Sequence, residues 1–164
     1  MTKADISNQI TNQFSDAILS QADSFGVLVL EVTTSHYHEL VAYCKNELNF
    51  QFITDLTGVH FPEQSGRELC LVTHLHNLVA NVRVRIKTYV SIQSPKVPTI
   101  VDLYSGANWM ERETYDFYGI EFEGHPELKR ILNVDEMDYF PMRKEYQMED
   151  PTRLDKDDEM FGRN

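Results

Sequence analysis

The chain has 164 residues, 26 of them acidic and 15 basic, for a net charge of −11, and 41% of its residues are hydrophobic. This length suits one domain, which buries roughly 70% of the surface that its unfolded form exposes, and the composition is that of an ordinary globular protein. The acidity excludes general nucleic-acid binding, which needs a basic surface to neutralise phosphates; no run approaches the about 18 consecutive apolar residues of a bilayer span, and residues 1–13 lack the basic-then-apolar pattern of a signal peptide.

In chain order, Ile6, Ile10, Phe14, Ala17 and Ile18 recur at helical spacing and predict a first helix over 5–22. Residues 27–32 are a short apolar run ending in Thr33-Thr34-Ser35, a strand leading into a helix cap. Tyr37, Leu40, Val41, Cys44 and Leu48 fall on one stripe of a helix at about 36–48. A strand follows over 50–61, with Gly58 read as a bulge or bend. Residues 69–75 are apolar on both faces apart from His74, as suits a central strand. Residues 82–88 alternate, with Val82, Val84 and Ile86 inward and Arg83, Arg85 and Lys87 outward. The short stretch between these two runs predicts an antiparallel hairpin. The three outward cations read as protection of a sheet edge, with contact to an acidic partner as the alternative.

Residues 94–98 read as a loop. Leu103, Ala107, Met110, Thr114 and Phe117 then recur at four, three, four and three, a helical stripe stopped by Gly119. The expected fold class is α+β: helices packed on one face of a largely antiparallel or mixed sheet in two layers. The expected division is an α+β domain over 1–123 and an extended C-terminal arm over 124–164. The arm contains Pro126, Pro141 and Pro151 and has little periodicity. Yet Ile131, Leu132, Val134, Met137, Tyr139, Phe140, Met142, Tyr146 and Met148 make it too apolar for simple disorder. It also sits in the acidic end of the chain: residues 101–164 carry 17 acidic and 8 basic residues, against 9 and 7 in residues 1–100. Such an arm must bury its apolar side chains on its own domain or on a partner.

Chemistry-bearing patterns are sparse. Cys44 and Cys70 read as buried free thiols of a reducing compartment, too few for the four thiolates of a typical iron–sulfur cluster. His36 and His38 point about 200° apart on a helix and do not chelate together. His74 and His76 share a strand face and carry the reading of another class, a small metal-dependent enzyme, but no third ligand lies at a telling spacing. No phosphate-cradling or dinucleotide glycine motif is present. The densest group is Glu111-Arg112-Glu113 with Asp116, Phe117 and Tyr118, followed by His125, Pro126, Lys129, Arg130 and Ile131. Its helical spacing predicts that Arg112 pairs with Asp116 and that Glu111 and Glu113 flank the pair.

This ordered group resembles the signature of the C-subunit family of respiratory complex I (the thirty-kilodalton subunit of NADH:quinone oxidoreductase) at Glu111, Arg112, Glu113, Asp116, Phe117, Tyr118, His125, Lys129, Arg130 and Ile131. Residues 98–109, from Pro98 through Trp109, look like its lead-in, and Pro141-Met142-Arg143-Lys144-Glu145-Tyr146 resembles the family's Pro-Leu-Arg-Lys-Asp-Tyr. The likeness extends over about 25–148. Departures are Val134 where the family often has Pro, Met137 where it often has Trp, and Glu145 where it has Asp. The resemblance implies a structural component on the cytoplasmic side of the bacterial inner membrane, with no active site of its own. It binds the D-type subunit and other peripheral-arm subunits near the quinone site through the signature and through Arg143, Lys144 and Tyr146. The NADH, FMN, iron–sulfur clusters and quinone would belong to other subunits. The nearest alternative within this resemblance is the homologous component of a membrane-bound hydrogenase or of a ferredoxin- or F420-linked complex.

Overall fold

The computed structural model describes residues 2–146; the remainder of the expected arm, including Met148 and Pro151, lies outside the described residues. Helix α1 spans Lys3–Gln13 behind a reciprocal cap, in which Asp5 N donates to Thr2 Oγ1 at 3.2 Å and Thr2 N to Asp5 Oδ2 at 2.8 Å. Its Ile6 and Ile10 are buried. The predicted helix over 5–22 is too long. The backbone leaves the helix at Phe14, and Ile18–Ser24 forms strand β1, whose residues between the two ends are all exposed. Ala17 and Ile18 fall on helical spacing by coincidence. A two-residue turn, Phe25 (φ 51°) and Gly26 (φ 82°), brings the chain back into β2, Val27–Val32. Positive φ at both positions is what a type I′ hairpin requires, but Phe-Gly lacks the usual Asn or Asp signal.

After a 3₁₀ turn at Thr34–His36 comes α2, Tyr37–Asn46. The rest of the main sheet follows as β3 Phe52–His60, β4 Leu69–Asn77 and β5 Val82–Val90. The five strands lie in the order β1-β2-β5-β4-β3, with β2 and β5 parallel and every other neighbouring pair antiparallel. The expected β4–β5 hairpin is present, and the sheet is mixed. Two features of the sheet correct the sequence reading. Strand β5 is central, so its cations protect no edge. Gly58 is in regular register with Leu71, and the shift falls between Ile53 and Asp55. Gly58 is needed because the Tyr118 ring lies against it: a Cβ there would meet Tyr118 Cδ2 at 2.6 Å.

One face of the sheet, with Leu28, Leu30, Leu69, Leu71, Leu75, Val84 and Ile86, forms a single core with Ile6 and Ile10 of α1 and Tyr37, Leu40, Val41 and Cys44 of α2. Each such side chain contributes about 1.5–3 kcal/mol when fully removed from water, before chain entropy is charged. Both cysteines are free and buried. Beyond β5, residues 96–98 are not loop alone. Lys96–Pro98 is β6, parallel to β7 at Glu121–Glu123. Between them α3 runs Ala107–Tyr118 and stops at Gly119, φ 73°, the left-handed position foreseen for that glycine. No helix among the described residues is long and apolar enough to cross a membrane.

Candidate functional site

Helix α3 turns a polar face inward. Glu111, Arg112, Thr114 and Asp116 are buried beside Ala107, whereas Met110 and Phe117 of the predicted apolar stripe are only half-buried. Glu111 is fully enclosed and accepts from Thr99 Oγ1 at 2.5 Å and from Ile100 N at 2.8 Å. Burial pushes its carboxyl up to about 7, even though both hydrogen bonds favour the ionised form. Glu113 lies on the solvent side of the helix.

Arg112 and Asp116 do not pair. Each is taken by backbone groups of the segment just after the helix. Arg112 Nε donates to Lys129 O at 3.2 Å and its Nη2 to Arg130 O at 3.1 Å, with the guanidinium 5.1 Å from the Trp109 ring centre. Asp116 is completely buried. Its Oδ2 accepts from three successive amides, Ile131 N at 3.1 Å, Leu132 N at 2.8 Å and Asn133 N at 2.9 Å, and its Oδ1 accepts from Arg130 Nη1 at 2.7 Å and Asn133 Nδ2 at 3.0 Å. Burial alone would raise this carboxyl, but the hydrogen bonds outweigh it and hold the group well below the usual carboxylate range. Arg130 also reaches Asp116 O, Met137 O and Tyr139 O at 2.9, 2.7 and 3.0 Å. One guanidinium therefore fastens the arm to α3 and to itself.

The later arm closes over the C-terminal end of the same helix, whose last carbonyls lack intrahelical donors. Met142 N donates to Phe117 O at 3.1 Å, and Arg143 Nε to Tyr118 O at 2.8 Å. Phe140 and Arg143 sit so close to Gly119 that a Cβ there would meet them at 2.5 and 2.6 Å. Lys144 N donates to Nδ1 of the buried His60 at 2.9 Å. His125 bridges Asn108 O and Glu127 N, while exposed Lys129 pairs with Glu127 at 2.8 Å, beside exposed Pro126. Ile131 is half-buried, and the Tyr146 ring packs against that of Tyr139 with centroids 4.9 Å apart and planes tilted by 44°. The structure thus gathers the signature residues along helix α3 and the segment that follows it, with Glu113 outside. Thr99, Asn133 and His60 complete the arrangement and were not singled out from sequence. Asn133, a polar residue within an apolar run, offered a signal, and Thr99 lay within the lead-in to the signature.

The histidine pairs are engaged elsewhere. His38 Nε2 lies 2.9 Å from Asp102, and His36 Nδ1 lies 3.0 Å from Thr33 Oγ1. His74 Nε2 accepts from Arg85 Nε at 2.7 Å, so a guanidinium occupies the lone pair that a metal would need, and burial together with Arg85 lowers its affinity for a proton. His76 lies 3.4 Å from Asn81 Oδ1. The outward strand face gives the metal reading no support.

Fold and site together define a two-layer α+β module whose third helix is closed over by the segment that follows it. The model of the family described as the respiratory-chain NADH dehydrogenase 30 Kd subunit matches residues 30–152, and the chain belongs to that family. It is 34% identical over 161 residues to the C subunit of the NADH-quinone oxidoreductase of Azorhizobium caulinodans, covering 97% of this chain and 75% of that one. It is 46% identical over 99 residues to the corresponding C subunit of a Nocardioides species, covering 60% of this chain but 40% of that one. The chain therefore spans between two fifths and three quarters of these relatives' lengths. Among solved structures it is similar to a trypsin-resistant fragment of Nqo5 (TM-score 0.68, 28% identity, 78% of this chain and all of the fragment). It is also similar to a chain of the membrane-bound sulfane sulfur reductase, an archaeal respiratory membrane complex (TM-score 0.75, 28% identity, 88% of this chain and 85% of that chain).

Proposed function

We propose that this chain is a non-catalytic component of the peripheral arm of an NADH:quinone oxidoreductase, seated on the cytoplasmic side of the membrane. In this reading it docks on the D-type subunit near the quinone site and carries no redox group itself. The observation that carries it is the arm: its backbone is pinned by Asp116, Arg112 and Arg130, yet Leu132, Val134, Tyr139, Met142 and Tyr146 remain exposed. A segment held rigid with apolar side chains turned outward is pre-organised for a partner surface, since its ordering entropy is already spent. The membership in the 30 Kd subunit family supplies the kind of complex.

The test is co-expression with the D-type subunit of the same organism, followed by purification. We expect a stable pair, with no flavin, iron or nicotinamide in stoichiometric amount on this chain when it is purified alone. A chain that elutes alone in the presence of that subunit, or that holds a redox group of its own, would contradict the reading. The likeness to the sulfane sulfur reductase supports a second host, a different respiratory membrane complex built on the same module. Purification of the native assembly from its source membranes separates the two, because each would bring down a different set of neighbours.

A further inference from the structure

Among the described residues no helix covers the face of the sheet opposite α1 and α2, and the central strand carries a row of three cations there. Arg83, Arg85 and Lys87 project from that side of β5 with no carboxylate partner within salt-bridge distance among the described residues, in a chain of net charge −11. The two acidic residues on the same face are engaged by others: Glu31 is held by Arg67 at 2.6 Å, and Asp55 lies 3.8 Å from His74. At one end of the stripe the β1–β2 turn and the β4–β5 turn lie side by side. Phe25, Gly26, Val27, Asn81 and Arg83 line a shallow groove there, and the Phe25 ring is fully exposed. Along the stripe run Val27 and Val29, both half-buried.

We infer that this face is a docking surface for an acidic amphipathic helix of a partner protein, with its carboxylates over Arg83, Arg85 and Lys87 and its apolar side chains against Val27, Val29 and Phe25. Alternate residues of a strand stand about 6.7 Å apart, and residues four apart on a helix rise about 6 Å, so one helical row of Asp or Glu matches the three cations. Helix on sheet is also how the opposite face is covered. An anionic bilayer or a nucleic acid fits less well, since the acidity of the whole chain repels an extended negative surface while a short segment meets the cations alone. This surface lies apart from the arm, and its occupancy does not depend on what the arm binds.

The experiment places a benzophenone photocrosslinker at position 29 of the full chain, irradiates the assembled complex in its native membranes, and sequences the crosslinked peptide. The expected product is a segment of another protein of the complex with at least two Asp or Glu at helical spacing. A crosslink to lipid, to nucleic acid or to a segment without such carboxylates overturns the inference, as does no crosslink in a complex that has assembled, a result that leaves the proposed function standing. Arg83→Glu with Lys87→Glu should then lower the crosslink yield about tenfold, and changing the partner's carboxylates to lysine should restore it. Loss without restoration, in a variant whose melting temperature matches the parent, also overturns it. If the reversal does not fold, Arg83→Gln with Lys87→Gln replaces it, with a smaller loss expected.

Discussion

At Asp116 one carboxylate receives five hydrogen bonds in a site closed to water, three of them from consecutive amides of the arm. Asp116→Asn replaces an acceptor by a group that must turn an N–H toward one of those donors, and Arg130 loses its counter-charge. The expected loss is about 3 kcal/mol, read by urea denaturation at neutral pH; a loss below about 0.5 kcal/mol would make this a solvated pair. Because the folded carboxyl titrates well below the unfolded one, its contribution is complete above about pH 4. It fades as the pH falls through the folded value, so the gap between wild type and Asp116→Asn should narrow in acid. Glu111 behaves oppositely. Its folded value is raised to about 7, so the native state binds the extra proton between about pH 4.5 and 7. Stability then falls as the pH rises through that window and levels off above it. Glu111→Gln should flatten that slope, and a slope unchanged by the substitution would show that another group sets it.

Among the elements, the sequence displayed those whose information is local: the β4–β5 hairpin, the alternating β5, the apolar stripe of α2 and the glycine stop of α3, whereas the cap expected at Thr33-Thr34-Ser35 is a 3₁₀ turn without a side-chain cap bond. It misled where neighbours in space are remote in the chain. Arg112 and Asp116 stand at ideal pairing distance along a helix, but both face a segment 14 to 18 residues further on that offers better-placed carbonyls and amides. Helical spacing holds no record of that segment. β1 was lost for a related reason: an exposed edge strand buries no face and so writes no period-two signal. The signature residues were legible as a group, while their task within the fold, fastening the following segment along α3, was not. Deleting residues 124–164 therefore does more than remove a tail. It uncovers Asp116, Arg112, His60 and the carbonyls of Phe117 and Tyr118. We expect the truncated chain to retain its circular dichroism spectrum, to melt well below the full chain, and to lose co-purification with the D-type subunit. A truncated chain that melts with the full one would show that the arm contributes nothing to the domain.

For the molecule as a whole, the parallel pairing of β2 with β5 has a kinetic consequence. Leu28 meets Val84 across more than fifty intervening residues, whereas β1–β2 and β4–β5 are hairpins that close over a few. Loop closure on that scale is costly in entropy before any contact rewards it. The hairpins should therefore form early, and the joining of the N-terminal ribbon to the β5–β4–β3 sheet should set the folding rate. Leu30→Ala, at the seam, should slow refolding; Arg130→Ala, in a clasp that can form only afterwards, should leave refolding unchanged and speed unfolding. Stopped-flow measurements of both variants would show the reverse pattern if the arm were part of the nucleus. On a ribosome the same order means that the first ninety or so residues must emerge before the sheet can be completed, and the clasp, encoded some forty residues later, shuts only after that.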